Sequence, residues 1–188
     1  MTEILLEESG MCFGPFDVDD CFAIEQSPLY QRMRQGVKIA EMAVLRQAQG
    51  GLTVWIIEAK SSSPRPAGTD DAGRLDRFIN EVSEKLDNAL KITLASCLGR
   101  HGATRDLLPR NFITLDLAKV SFRLILVVKG HQPDWCAPLQ DALHKALLPL
   151  VRTMGLSPTA VAVINDEHAR KWGLISAPGN ADETATVG

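Results

Sequence analysis

Three charged residues beside two apolar segments have the types and spacing of a hydrolytic metal site. Glu41 lies within a β-rich run at 37–46, Glu58 lies near the end of the next run, 52–59, and Lys60 directly follows that run. Alternation along an extended strand places Glu58 and Lys60 on the same face. Glu41 falls within an otherwise apolar face, where an unpaired carboxylate is costly. A divalent cation or a lysine partner would remove that cost.

The chemistry that fits these residues is metal-assisted hydrolysis of a phosphodiester bond. Carboxylates of Glu41 and Glu58, with the backbone carbonyl of Ala59, offer the oxygen ligands that Mg²⁺ prefers, and Mn²⁺ takes similar ligands. Lys60 would orient or help to deprotonate an attacking water, or stabilise charge on a phosphate. The competing interpretation is structural: Glu58 and Lys60 form an exposed pair, and Glu41 is solvated at a sheet edge.

The elements that position these residues follow from hydrophobic periodicity. The glycine-ended loop at 47–51 predicts a β-hairpin that brings Glu41 and Glu58 onto neighbouring strands. After Lys60 the sequence predicts a long helix that begins at Asp70 or Asp71 and then a strand at 120–130 in the middle of the sheet. A helix at 137–154, interrupted or bent near Pro149, a strand at 160–164 and a helix at 166–172 complete the order.

The segments outside this pattern are assigned by composition. Residues 11–25 are predicted to form a loop that ends in a short strand at 21–25, and 27–33 a capped helical turn with Pro28 at its first position. Residues 177–188 are small and polar, which predicts a disordered tail. The fold class is therefore α/β, a mixed central sheet flanked by helices, within a single domain at 1–176.

This arrangement resembles the PD-(D/E)xK nuclease superfamily, with Glu41 followed after a hairpin by Glu58-Ala59-Lys60. The resemblance implies a restriction-endonuclease-like core, with Glu41 and Glu58 as metal ligands and Lys60 as the catalytic lysine. It departs from the family pattern because Ala40-Glu41 replaces the Pro-Asp pair. The resemblance also implies nucleic acid, DNA before RNA, as the substrate, a role in defence or repair, and action as a homodimer or with a partner protein.

Other acidic and basic residues give weaker signals. Glu25 is a candidate auxiliary acid near the metal, with a surface glutamate as the alternative. Glu81 and Lys85 are one helical turn apart, which predicts an ion pair on the solvated side of the long helix.

Composition excludes several function classes. A net charge of -3 gives no overall attraction to nucleic acid, so a phosphate-binding surface must be local. No segment has the roughly 20 apolar residues of a membrane span, which predicts a cytoplasmic protein. The four cysteines have no zinc-site spacing and are expected to be reduced thiols. Nucleotide-binding glycine motifs and a serine-hydrolase motif are missing from the sequence.

Two functions of different classes therefore follow from the sequence. The first is a Mg²⁺- or Mn²⁺-dependent nuclease that uses Glu41, Glu58 and Lys60. The second is a nuclease-like module that binds or assembles without catalysis. The two are distinguished by whether these three side chains converge.

Overall fold

A five-stranded mixed sheet forms the centre of the protein in the computed structural model, which describes residues 2–48, 50–64, 72–102 and 107–176. In chain order the elements are β1 (Glu3–Glu8), β2 (Met11–Asp17), β3 (Cys21–Phe22), α1 (Pro28–Met33), β4 (Met42–Ala48), β5 (Gly51–Lys60), α2 (Ala72–Cys97), α3 (Arg110–Ile113), β6 (Ser121–Val128), α4 (Pro133–Thr153), β7 (Val161–Asn165) and α5 (Asp166–Lys171).

The main sheet has the strand order β3-β4-β5-β6-β7. Strands β3, β4 and β5 are antiparallel neighbours, whereas β5, β6 and β7 run parallel. Helix α2 connects β5 to β6, and α4 connects β6 to β7, as parallel neighbours require. The predicted mixed sheet flanked by helices is confirmed. The predicted middle strand was wrong by one position, because β5 is central and β6 lies beside it.

Two hydrophobic clusters cover the two faces of this sheet. On one face α2 and α4 bury aliphatic residues against alternate positions of β4, β5 and β6. On the other face the side chains come mainly from β1, β2 and the region of α5. Because both faces are covered, β6 and β7 are apolar almost throughout, as is usual for buried parallel strands. The alternation in β5 places Glu58 on the face covered by α2.

The N-terminal hairpin was not predicted. Residues 11–17 form β2, which pairs with β1 through the two-residue turn Ser9-Gly10, where both residues have positive φ. A turn with two positive φ values matches the twist of paired strands. The Gly14-Pro15 dipeptide suggested a loop. It lies within β2, and the β1–β2 pairing accommodates it by a register shift between Ile4 and Leu6. The short strand after it ends at Phe22, not at Glu25.

The starts of β4 and α4 also differ from the predictions. Strand β4 begins at Met42, and in the stretch before it the Tyr30 hydroxyl and the Asn88 side-chain amide donate hydrogen bonds to the carbonyls of Val37 and Lys38. Helix α4 begins at Pro133 and continues through Pro149.

The remaining predictions have mixed outcomes. The capped helix at Pro28, with Ser27 accepting a hydrogen bond from the Tyr30 backbone, is confirmed. The predicted helix start at Asp70 or Asp71 and the tail at 177–188 lie outside the described residues. The cysteines are free. Among the residues that the structure describes, no helix is long and apolar enough to cross a membrane.

Candidate metal centre

Glu41, Glu58 and Lys60 converge at the carboxyl end of β5. Glu58 and Lys60 are the third-last and last residues of that strand, and the Lys60 Nζ lies 3.3 Å from the Glu58 Oε1. Glu41 directly precedes β4, so the prediction that it lies in mid-strand was wrong. Its backbone amide still binds the carbonyl of Ile57 at 3.1 Å, which holds it beside the end of β5.

Lys85 of α2 joins the two glutamates. Its ammonium lies 2.9 Å from the Glu58 Oε1 and 3.6 Å from the Glu41 Oε1. The expected Glu81–Lys85 ion pair on a solvated face was wrong. Both side chains reach the sheet, where Glu81 binds the Lys60 Nζ at 2.7 Å. Helix α2 thus adds one cation and one anion to the centre.

One oxygen of each proposed ligand has no hydrogen-bond donor among the described residues. These atoms are the Oε2 of Glu41 and the Oε2 of Glu58. Glu58 is fully buried and Glu41 is 7% exposed. Buried polar atoms are normally paired, so two carboxylate oxygens without a donor call for a further partner, which is a proton or a cation. A hard cation that prefers carboxylate oxygens fits this donor set.

Two further acids lie next to Glu41. One oxygen from each of Glu8, Glu25 and Glu41 lies within 4.8 Å of the others. Glu25 follows β3, and its backbone amide binds the carbonyl of Glu41 at 3.2 Å. Glu8 is the last residue of β1. The candidate auxiliary acid Glu25 is therefore near the centre, and Glu8 joins it.

The acids of the centre have perturbed pKa values. Burial, a hydrogen bond with the Glu25 side chain and the Glu58 charge together raise the pKa of Glu41 to about 9, although Lys85 opposes the rise. Burial also raises the pKa of Glu58, and the Lys85 and Lys60 ammonium groups offset part of that effect. The pKa of Glu8 is raised by burial and by the charge of Glu25. With its pKa raised to about 9, Glu41 holds a proton at neutral pH until a cation replaces it.

The two remaining shifts reflect ion pairing. Burial alone would lower the pKa of Lys85, but the Glu58 and Glu41 carboxylates outweigh it and the pKa is raised. The hydrogen bond from Lys60 lowers the pKa of Glu81. Lys85 is consequently charged at neutral pH, in contact with both proposed ligands.

The carbonyl of Ala59, the third predicted metal ligand, faces the N-terminal hairpin. It accepts a hydrogen bond from the Ser9 Oγ at 3.0 Å. A carbonyl oxygen has two lone pairs, so this contact leaves one of them for another partner. The Ser9 hydroxyl fixes the position of the carbonyl.

Sequence reasoning missed Glu8 and Ser9 and misplaced Lys85. Glu8-Ser9-Gly10 separates two runs with alternating apolar residues, and Ser-Gly between such runs is a hairpin signal. Lys85 lies between Val82, Leu86 and Ala89, which are all fully buried in α2. A lysine at the border of an apolar helix stripe indicates a side chain directed to the core side.

The chemistry available to this centre is that of a dense acidic site with internal lysines. Within the described residues it has more carboxylates than ammonium groups, so it suits a bound cation or bound protons. Comparison of the chain with protein-family models, with curated proteins and with solved structures gives no match.

Proposed function

We propose that this protein is a Mg²⁺- or Mn²⁺-dependent nuclease of the PD-(D/E)xK type, which acts on DNA in preference to RNA. The observation that carries the proposal is the convergence of Glu41, Glu58 and Lys60, with an orphaned buried oxygen on each glutamate. Strand-edge charges that only protect a sheet from aggregation would face solvent, whereas Glu58 is fully buried.

The topology supports this assignment. An antiparallel pair, β4 and β5, is followed by a long helix and by the parallel strand β6 next to β5. The resemblance implies a core with the first acid on one strand, the E-x-K tripeptide on the next, and helix, strand and helix after it. In this chain Glu58 and Lys60 lie at the end of β5, and Glu41 directly precedes β4, beside that end.

The residues of the centre have separate tasks in phosphodiester hydrolysis. Glu41, Glu58 and the Ala59 carbonyl would hold the cation, which polarises the phosphate and lowers the pKa of water. Lys60 orients the attacking water and stabilises negative charge on the phosphoryl oxygens. Water attacks phosphorus and gives up one proton to solvent, the bond from phosphorus to the leaving sugar oxygen breaks, and that oxygen takes up a proton from solvent. Glu81 holds the Lys60 ammonium in place at 2.7 Å.

A cation on the rim of the centre supports a polyanionic substrate. Lys129 follows β6, its side chain is exposed, and it forms no ion pair with any described residue. Its backbone amide binds the carbonyl of Lys60 at 2.9 Å, so it lies at the same edge of the sheet. A local cation of this kind provides the phosphate contact that the overall charge of -3 does not.

The alternative is a non-catalytic binding or assembly module. Lys85 contacts both Glu41 and Glu58, so the centre is partly neutralised by the protein's own lysine. If Lys85 kept metal ions away from Glu41 and Glu58, the protein would bind partners only through its outer surfaces. Metal binding separates the two functions.

The test combines metal binding with cleavage. Purified full-length wild type and Glu58→Gln are titrated with Mn²⁺ by calorimetry and incubated with single- and double-stranded DNA and RNA. We expect metal-dependent cleavage by the wild type and a loss of about 100-fold or more in the variant, because ligand removal forfeits several kcal/mol of transition-state stabilisation.

Glu84→Gln is the matched control, because Glu84 lies on α2 in an exposed pair with Lys38 and outside the centre. This variant should retain wild-type binding and cleavage. Wild-type protein that binds no metal and cleaves no substrate would contradict the nuclease and favour the module.

A further inference from the structure

Alternating arginine and tryptophan side chains form a row on the sheet face that is covered by the N-terminal hairpin and α5. Arg46 of β4, Trp55 of β5 and Arg123 of β6 come from three neighbouring strands, and Trp172 follows α5. Both guanidinium carbons lie 5.5 Å from the centroid of the Trp55 ring, and that of Arg123 lies 5.3 Å from the Trp172 ring. The two indoles meet edge to face, with their centroids 5.5 Å apart. We call these four residues the arginine–tryptophan row.

The row carries positive charge without a counter-ion. Arg46 and Arg123 are both half-buried, and neither forms a salt bridge with a residue that the structure describes. The exposed Lys171, next to Trp172 in sequence, likewise has no ion pair within the described ranges. Removal of a cation from water is costly unless an anion accompanies it. The row is therefore a local cationic region in a protein whose net charge is -3.

The polar side-chain groups of the row are all hydrogen-bond donors, because guanidinium and indole groups do not accept. Arg46 donates to two carbonyls at the end of α5, that of Trp172 at 2.9 Å and that of Gly173 at 3.5 Å. The Arg123 side chain has no hydrogen bond to a described residue. The buried Nε1 of Trp55 also has no acceptor among those residues. The row therefore lacks an acceptor that carries negative charge.

A phosphate group fits this set of donors. A guanidinium that packs its face on an aromatic ring keeps its N–H groups along its edge, where their geometry matches two phosphate oxygens. Two guanidinium groups already contact the Trp55 ring, so the row offers the edges of its arginines and not a stacking surface for a nucleobase. The indoles hold both cations in place before a ligand arrives, which lowers the entropy cost of binding.

We propose that Arg46 and Arg123, held by Trp55 and Trp172, form a binding site for a phosphate group. Trp55 lies in the amino-terminal half of β5, and strand alternation directs it to the sheet face opposite to Glu58. A phosphate bound at the row is therefore not the one that the proposed metal centre attacks. The inference goes beyond the proposed function and needs no metal.

The test is calorimetric binding of two probes to full-length protein at low salt. The probes are inorganic phosphate and a short single-stranded DNA without terminal phosphates. EDTA is present, so that no divalent cation links a probe to the acidic centre. Arg123 is the residue to change, because Arg46 also bonds the end of α5. We expect Arg123→Gln to weaken binding by about tenfold or more, since a charge-assisted pair of hydrogen bonds is lost.

Arg152→Gln is the matched control, because Arg152 is exposed on α4, which covers the other sheet face, and the variant loses the same charge. It should bind both probes within about twofold of the wild type, since a distant exposed charge is screened. Thermal unfolding shows whether Arg123→Gln folds. Arg123→Lys serves if it does not, and should bind about threefold or more weakly than the wild type, because an ammonium lacks the planar fork.

The two probes distinguish the sources of the phosphate group. Binding of the DNA alone, weakened in Arg123→Gln, would assign the row to a phosphodiester, and binding of inorganic phosphate alone, weakened in the same way, to a small anion. Wild-type protein that binds neither probe would overturn the site. An Arg123 variant that folds and binds as tightly as the wild type would also overturn it, as would an equal loss in Arg152→Gln.

This site and the proposed nuclease fail in different ways. Phosphate binding that depends on Arg123, in a wild-type protein that cleaves no nucleic acid, would support the site and contradict the nuclease. Metal-dependent cleavage by a wild type whose phosphate binding does not depend on Arg123 would overturn the site alone.

Discussion

At the scale of single residues, Glu41 has the least favourable electrostatic surroundings in the centre. It is buried beside Glu25 and Glu58, and the single cation within 4 Å of it among the described residues is Lys85, which also contacts Glu58. A carboxylate in this position is stable when it binds a proton or a cation. In the proposed site, protons and metal ions would therefore compete for Glu41.

This competition predicts a pH dependence of stability. The pKa of Glu41 is near 4.5 in an unfolded chain and is raised to about 9 in the fold. Between these values the unfolded chain binds fewer protons, so the stability that Glu41 contributes is complete below about pH 4.5 and declines as the pH rises toward 9. We expect the metal-free wild type to lose at least about 1.4 kcal/mol across this range relative to Glu41→Gln.

Urea unfolding of both proteins at a series of pH values measures this difference. Mn²⁺ should abolish the decline in the wild type, because the cation takes the place of the proton. Parallel stability curves for wild type and Glu41→Gln in the absence of metal would contradict the raised pKa.

Residue types and strand parity were enough to predict part of the centre. Glu58 and Lys60 end an apolar strand, and Glu41 interrupts an apolar stretch, so each conflicts with its neighbours in a way that sequence reveals. Glu8 shows no such conflict, because it follows Glu7 in an acidic N-terminus. Its position depends on a hairpin turn whose contact with Ala59 spans 50 residues of chain. No local pattern contains that contact.

At the scale of elements, two segments outside the central strands complete the centre. Helix α2 provides Lys85 and Glu81, and the β1–β2 hairpin provides Glu8 and Ser9. The helix was predictable because its apolar stripe repeats along most of its length, whereas the positions of the side chains at the border of that stripe were not. Whether Lys85 faces solvent or the sheet depends on how α2 rotates against β5, which is decided by packing.

Because α2 is rotated so that Lys85 faces the sheet, the substitution Lys85→Met removes a cation from the centre. Loss of the ammonium leaves Glu41 and Glu58 without their shared cation, and breaking a largely buried ion pair costs about 2 kcal/mol or more. We therefore expect lower stability without metal. Mn²⁺ should bind about tenfold more tightly, since one positive charge no longer opposes it at short range.

Lys91→Met is the control for this prediction. Lys91 lies on the same helix in an exposed pair with Asp87, and the loss of such a pair should change stability by less than about 1 kcal/mol. Denaturant unfolding and Mn²⁺ calorimetry on both variants give the comparison. Weaker Mn²⁺ binding by Lys85→Met would show that Lys85 helps to hold the metal and does not compete with it.

At the scale of the whole molecule, the centre lies at the carboxyl end of β5, in a sheet that is stabilised by its own hydrophobic packing. The cluster under α2 and α4 and the cluster under the hairpin and α5 fill both faces with buried aliphatic and aromatic residues. Neither cluster needs a metal. The fold class was predictable because hydrophobic periodicity in the sequence indicates which residues are buried. The strand order β3-β4-β5-β6-β7 was not predictable in this way, because it depends on contacts between distant segments.

Because the two hydrophobic clusters do not depend on the metal centre, the effect of metal removal on the whole chain can be predicted. A ligand at 100 times its Kd stabilises the state that binds it by about 2.7 kcal/mol, so chelation of Mn²⁺ should lower the urea midpoint without a change in slope. The chelated protein should keep its circular dichroism spectrum, because both hydrophobic clusters remain. In Glu58→Gln the stabilisation by Mn²⁺ should be much smaller. If chelation alone unfolded the protein, the metal would hold the fold together, and the strained carboxylates of Glu41 and Glu58 would then serve structure before catalysis.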